Sequence, residues 1–324
     1  MTQAIETLQP SAADLRTDRP LPGQVVHKAA LEQVFVTDWM HGPGEDWCTI
    51  AARLPLAHAR FSDTAAPFHD VVLVAETARQ AGLVVASEIL DIARDRHFLL
   101  REVKVELDPI ERSRKGRDTC DVLFSQDPSS KLRMRPGRAM AGAFLRTRLA
   151  IGGHDAGVSE VSGAIVPPDF YAGLRGRNRE AVSGRGLPDP VPRADWETRT
   201  GRRNPANGVL TRIRPAAGER AYEASLIVEP DDPTFFDHPL DHVPGLLLLE
   251  GVRQVAVAGA CEELGIDHSR LVVAGFEMRF SRIAEFHPDI VCAVTLDEGS
   301  GGGKVTCSQM GRPCCEGTVR IAHV

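Results

Sequence analysis

The alternation of apolar and polar positions repeats itself halfway along the chain. Residues 71–82 read VVLVAETARQAG and residues 245–256 read GLLLLEGVRQVA, so that an apolar run twice leads into a Glu-x-x-Arg-Gln segment. Aligning Glu76 with Glu250 also aligns Arg79 with Arg253 and Gln80 with Gln254, at an offset of 174 residues. A self-match at half the chain length is the mark of two related units. Apolar residues run nearly all round both segments, which predicts buried helices over about Val71–Ile92 and Leu246–Leu264. Small residues (Ala75, Ala78, Ala81, Gly82 and Ala86 in the first; Gly251, Ala256, Ala258, Gly259 and Ala260 in the second) leave each helix slim enough for a sheet to wrap it closely.

Strand-like segments flank each helix. Before the first come Leu31–Thr37 and Cys48–Leu54; before the second, Gly208–Ile213 and Ala221–Val228. After the first come HFLLREVKVEL, TCDVLFSQ and AMAGAFLRTRLAI. After the second come LVVAGFEMRF, IVCAVTLDE, GKVTCSQM and CCEGTVRIAHV, separated by Gly-, Asp- and Pro-rich turns. Each half therefore reads as two strands, one helix and a run of antiparallel strands. The expected organisation is a flexible leader over residues 1–22, a first domain over 23–166, a Pro-, Arg- and Gly-rich linker over 167–207 and a second domain over 208–324.

Bulk properties narrow the function classes. In 324 residues, 43% are hydrophobic and 25% charged, the balance of a globular protein, and the net charge of −6 opposes a nucleic-acid surface. No stretch approaches the roughly 18 apolar residues of a membrane span, and the N-terminus has no basic-then-apolar leader, so a cytoplasmic protein is expected. The seven cysteines show no C-x-x-C pair or zinc-ligand spacing; reduced thiols packed as small hydrophobes are expected, with no metal. Nor is there a P-loop, or a G-x-G-x-x-G between strand and helix, so no nucleotide cofactor is indicated.

Against that background the helical charges stand out. Positions three and four apart share a helix face, so Glu76, Arg79 and Gln80 line one edge of the first helix, and Glu250, Arg253 and Gln254 one edge of the second. One such set reads equally well as a self-satisfying Glu–Arg pair. Two sets at matched places, each preceded by histidines, favour function.

Phe235-Phe236-Asp237-His238-Pro239 followed by Val243-Pro244-Gly245 and then Glu250 resembles β-hydroxyacyl-carrier-protein dehydratases of the hot-dog fold, with the histidine two residues out of register. The closer resemblance is to the A-factor (AfsA-type) γ-butyrolactone biosynthesis proteins. It is carried by Val26-His27-Lys28, Phe35-Val36-Thr37-Asp38-Trp39, His69 with the run to Glu76-Thr77-Ala78-Arg79-Gln80, and Asp237-His238-Pro239-Leu240-Asp241-His242-Val243-Pro244-Gly245 leading to Glu250, over roughly residues 24–324. In the first copy Asp70-Val71 stands where Pro244-Gly245 stands in the second. The resemblance implies an α+β double hot-dog, two antiparallel sheets each wrapped around a long helix. It also implies an acyltransferase that moves a β-ketoacyl group from an acyl carrier protein to the hydroxyl of dihydroxyacetone phosphate, without a cofactor. The carrier protein and the phosphorylated acceptor are the expected partners, with a homodimer as an option.

Such a transfer needs a base, a stabilised oxyanion and a cation for the phosphate. The expected catalytic set is Glu76, as base or orienting carboxylate, with Arg253 and His238 across one composite cleft, and Glu250 in the second set. Arg79, His69, His242, Gln80, Gln254 and Gly245 are expected to bind substrate, and the helix start at Val243–Leu246 to aim N–H groups at the thioester oxygen. His27, His58 and His287 read more simply as satisfied polar side chains, and Lys28, Arg279 and Arg282 as solvated charges or phosphate-steering groups. Two other readings stay open: a hot-dog dehydratase or thioesterase, and an acyl or lactone binder without turnover.

Overall fold

The computed structural model describes residues 14–42, 48–93, 95–126, 130–134, 141–182, 199–238 and 240–324. Two long helices, α1 (Val71–Val84) and α3 (Gly245–Leu264), form the interior. Asp70 caps α1, its carboxylate accepting from Val72 N at 2.8 Å. Gly265 ends α3 in the left-handed conformation that glycine adopts without strain, its N–H donating to Cys261 O at 2.9 Å. Both helices are as buried as their patterns predict; Leu247 to Cys261 are buried without a break. The expected continuation of α1 to about Ile92 is corrected. The α-helix stops at Val84, and one π-helical turn, Val85–Ile89, completes it.

A single antiparallel sheet wraps both helices. Its strands are β1 (Val36–His41), β2 (Cys48–Arg53), β3 (His97–Leu107), β4 (Asp121–Gln126), β5 (Lys131–Met134), β6 (Ala141–Ile151) and β7 (His154–Val166) in the first half. In the second half they are β8 (Arg214–Pro215), β9 (Ala221–Ser225), β10 (Leu271–Phe280), β11 (Ile290–Leu296), β12 (Gly302–Gln309) and β13 (Arg312–His323). The order across the sheet is β1-β2-β4-β6-β7-β3-β10-β13-β12-β11-β9-β8, with β5 paired to β6. Read outward from the β3–β10 join, both halves follow the same sequence of strands, so the repeat seen in the helices extends to the topology. The join itself is a five-residue register from Gly275↔Glu106 to Arg279↔Glu102. This is the α+β double hot-dog. Burial alternates along β4 and β11, as expected of a sheet with one face on the helices.

Several local expectations change. Leu31–Gln33 is a short 3-10 turn and β1 begins only at Val36; Gly208–Ile213 contributes one bridge, Leu210↔Leu226, rather than a strand. β5 and β7 were not anticipated as strands; β7 pairs along most of β3 and β6. The segment expected as a linker carries helix α2 (Pro168–Val182), whose Tyr171 stacks on His97 at 4.0 Å and whose buried Arg175 pairs with Glu285 and Asp241. Residues 1–13 of the expected leader lie outside the described residues; Arg16 Nε donates to Asp38 at 3.0 Å. Among the described residues no helix is long and apolar enough to cross a membrane. All seven cysteines are free and buried.

Candidate functional site

Each helix presents its Glu-x-x-Arg-Gln edge to the loop that precedes the first strands of its own half, and the two edges are anchored in the same way. Gln80 Nε2 donates to Gln33 O at 2.7 Å, and its Oε1 accepts from Phe35 N at 2.8 Å. Gln254 Nε2 donates to Asn207 O at 2.9 Å, and its Oε1 accepts from Val209 N at 2.9 Å. Both glutamines are thus loop clamps that also donate to their helical glutamate. They hold the carboxylates from below and point no free amide at a substrate.

Around Glu76 the arrangement is an ion cluster with one open side. Arg79 grips Glu76 with two prongs, Nε to Oε2 and Nη2 to Oε1, each at 2.8 Å. Lys28 Nζ lies 3.4 Å from Glu76 Oε1 and 3.9 Å from Asp237 Oδ1. Asp237 belongs to the second half. Its Oδ2 accepts from Ala29 N at 3.0 Å, and its Oδ1 accepts from His238 Nδ1 at 2.7 Å. The buried Asp237 therefore fixes the ring of a half-exposed histidine, and in the neutral ring this bond leaves Nε2 as the acceptor nitrogen. Burial alone would push the Glu76 carboxyl up, but Arg79 and Lys28 outweigh it and hold it down at about 2. A carboxylate that acidic is a poor proton acceptor near neutral pH; it can orient cations.

Around Glu250 the chemistry is parallel and the access is not. Arg253 grips Glu250 at 2.9 and 2.7 Å. Arg202 adds a second two-pronged contact at 3.0 and 2.8 Å, and its Nη2 lies 2.6 Å from Asp70 Oδ2, so the first half contributes a carboxylate here. Burial would raise the Glu250 pKa, yet Arg202 and Arg253 hold it well below the ordinary range. The side chains of Glu250, Asp70, Arg202 and Arg253 are 0, 0, 1 and 6% exposed, against 38% for Arg79 and 42% for His238. One cluster reaches solvent; the other is sealed.

The sequence pairs Glu76 with Arg253 and His238. The structure links Glu76 to His238, through Lys28 and Asp237, and engages Arg253 with Glu250 and Asp70. The i,i+3 Glu–Arg pairs are real in both helices. His69 is buried beside Thr119, 3.3 Å from Nε2 to Oγ1. Burial and Lys115 pull its pKa down to about 4, so the ring is neutral. His58, pulled to about 4 by burial and then by Arg202 and Arg60, accepts backbone N–H bonds from Arg60 and Phe61 at Nδ1. His242 forms a second Asp–His pair, Nδ1 donating to Asp241 at 2.8 Å. Gly245 opens α3 with Phe280 and Leu100 close by, and no side chain caps that helix start. Lys28, read from sequence as a solvated or phosphate-steering charge, is buried in the open cluster. Asp70, Asp237, Arg202 and Arg60 went unnoticed as site residues. The 174-residue offset would have found Arg202, since it lies that far beyond Lys28. Among the described residues no group of three or more His, Cys, Asp or Glu is arranged to hold a metal.

With this geometry established, the comparisons are specific. The family model for the A-factor biosynthesis hotdog domain (AfsA) matches residues 10–133 and 186–324. The 2-oxo-3-(phosphooxy)propyl 3-oxoalkanoate synthase of Streptomyces virginiae is 32% identical over 266 residues, covering 82% of this chain and 83% of that protein. The protein of the same name from Streptomyces coelicolor is 28% identical over 293 residues, covering 90% and 87%. A solved Lactobacillus plantarum structure described as an oleoyl thioesterase superposes with a TM-score of 0.50 at 10% identity, covering 86% of this chain and 95% of the other, a likeness of fold alone.

Proposed function

The chain belongs to the A-factor biosynthesis hotdog family, and on that premise we propose that it transfers a β-ketoacyl group from an acyl carrier protein thioester to the hydroxyl of dihydroxyacetone phosphate, at the open cluster around Glu76. The ester so formed is the first intermediate of a γ-butyrolactone-type signal.

The observation that carries this reading is the meeting of two half-sites. The Asp237–His238 pair of the second half stands over the Lys28–Glu76–Arg79 cluster of the first, on the side that solvent reaches. His238 Nε2 takes the proton of the acceptor hydroxyl as its oxygen attacks the thioester carbonyl. The C–O bond forms, the carbonyl electrons move onto oxygen, and collapse of that oxyanion breaks the C–S bond. The departing thiolate recovers the proton from His238, so the enzyme ends as it began. Asp237 holds the tautomer and stabilises the transient imidazolium. Arg79 and Lys28 offer positive charge to the acceptor phosphate, while Glu76 keeps both cations in place. Backbone N–H groups at the uncapped start of α3 suit the thioester oxygen.

The test is incubation with a β-ketoacyl thioester and dihydroxyacetone phosphate, followed by mass spectrometry. Formation of the phosphorylated ester supports the reading. Free β-keto acid alone, in equal amount with or without the acceptor, would mark a thioesterase. Thioester binding with no product at all would mark a binder.

A further inference from the structure

We infer that Arg60 is a positioning residue for the Asp237–His238 pair, holding from the first half the segment of the second half that carries the histidine. This rests on His238 being the proton acceptor, and the experiment below separates the two claims.

Arg60 sits in the loop between β2 and α1 and is 5% exposed. A guanidinium at that depth is stable only if its charge and most of its donors are used; here Nε alone has no partner among the described residues. Nη2 pairs with the Asp232 carboxylate, Nη1 donates to Asn207 O at 2.7 Å, and the guanidinium lies 4.8 Å from the centroid of the Phe235 ring. Asp232 in turn shapes the segment. Its Oδ1 accepts from Thr234 N and its carbonyl from Phe236 N, each at 2.8 Å. The turn closed by these bonds delivers Asp237 to Lys28 and Ala29 N. Residues 232–238 are therefore fastened at both ends by the first half, by Arg60 at Asp232 and Phe235, and by Lys28 and Ala29 at Asp237. Among the described residues of that segment, Asp237 alone fixes the ring of His238, so the direction of Nε2 depends on where the segment is held.

Arg60 is itself held. Its carbonyl accepts from Arg202 Nη1 at 2.7 Å, and Arg202 is bound by Glu250 and Asp70. Arg60 thereby links the sealed cluster to the segment that carries His238. A planar fork that pairs a carboxylate, a carbonyl and a ring face at once has no equivalent in lysine, which keeps the charge alone.

The experiment compares R60K, D232N, H238Q and the R60K/H238Q double variant, each checked for folding by circular dichroism. Two readouts are taken: steady-state transfer, and the titration and tautomer of His238 by nitrogen-15 NMR on histidine-labelled protein. The expected result for R60K is a kcat lower by about tenfold to a hundredfold with KM for the acceptor within about twofold, as for a misplaced catalytic group. R60K should shift the His238 titration and deplete the Nδ1–H tautomer, and D232N should do the same. R60K should add nothing in the H238Q background. The inference is overturned if folded R60K and D232N leave the His238 resonances as in the wild type, or if the R60K loss persists in full without His238. If H238Q transfers at the wild-type rate, the proton-acceptor reading falls instead, whatever the NMR shows.

Discussion

Lys28 and Arg202 occupy the same place in the two halves, 174 residues apart, each facing its half's helical glutamate: Lys28 Nζ at 3.4 Å from Glu76 and Arg202 Nη2 at 2.8 Å from Glu250. The lysine gives its glutamate one point of contact and lies 3.9 Å from Asp237 of the other half. The arginine gives two and reaches Asp70 as well. The difference in access lies in other members of the clusters: Arg79 and His238 are 38% and 42% exposed, against 6% for Arg253.

Opposite consequences are expected for the two glutamates. E76Q removes a charge shared by Arg79, which can turn to solvent, and Lys28, which keeps Asp237 nearby, so the fold should survive and transfer should fall by about a hundredfold or more. E250Q strands two buried guanidiniums with only Asp70 between them, which should cost about 3–5 kcal/mol of stability. Its activity per folded molecule should fall less than tenfold. Urea unfolding and kcat measured on the same preparations decide this; equal effects on both variants would end the distinction.

Transfer should depend on the tautomer of His238. D237N keeps the size of the side chain but can present its amide rather than an acceptor to Nδ1, and should lower kcat by at least about a hundredfold. A D237N enzyme as fast as the wild type would remove the pair from the mechanism.

Arg79 is the partly open cation. R79K keeps the charge and loses the fork, so KM for dihydroxyacetone phosphate should rise by about tenfold or more with kcat little changed. If KM for the thioester rises instead, Arg79 belongs to the donor side.

Acid should weaken the fold before it reaches the carboxylates. His58 and His69 fall from an ordinary 6.5 to about 4 in the folded protein. The unfolded chain then binds more protons between those values. The stability due to the neutral rings is full above about pH 6.5 and is lost as pH falls to about 4, up to about 3 kcal/mol for the buried His69. Glu76, held at about 2, loses its contribution only below about pH 4.5. Unfolding midpoints for wild type and H69Q between pH 7 and 4 test the first window; identical slopes would exclude His69.

Packing around α3 gives a further test. A Cβ on Gly251 would lie 2.8 Å from Cys292 Sγ and 2.8 Å from Leu226 Cδ1. G251A should therefore cost about 1–3 kcal/mol by overpacking, despite the better helix propensity of alanine. An unchanged or raised melting temperature would show that the sheet can yield there.

The repeat, the two buried helices and the β3 and β10 spans were legible because they rest on local periodicity and on self-similarity; the same self-similarity singles out Glu76 and Glu250, whereas His238 was singled out by the family resemblance. Asp237, Asp70, Arg60 and Arg202 were not. Each lies in a loop, where no period marks burial, and each acquires its role from a partner more than a hundred residues away. The composite pairing of Glu76 with Arg253 had a sound premise, that a seam draws on both halves. The structure meets that premise with loop residues, Asp237 in one cluster and Asp70 in the other, because the helical arginines are already taken by their own glutamates. Helix α2 was hidden by the Pro, Arg and Gly content of its surroundings, although Arg175 ties it to Asp241 and Glu285.

The continuous backbone between the halves has a consequence for how such a site can change. Two identical subunits meeting edge to edge at β3 and β10 would carry every substitution twice. A substitution that sealed one cluster would seal the other, and one that opened one would open both. Once both units lie in one polypeptide, positions 28 and 202 are inherited separately, and the symmetry is free to break. One cluster can then be tuned for traffic with solvent and the other for rigidity, a division of labour closed to any homodimer of half-length chains.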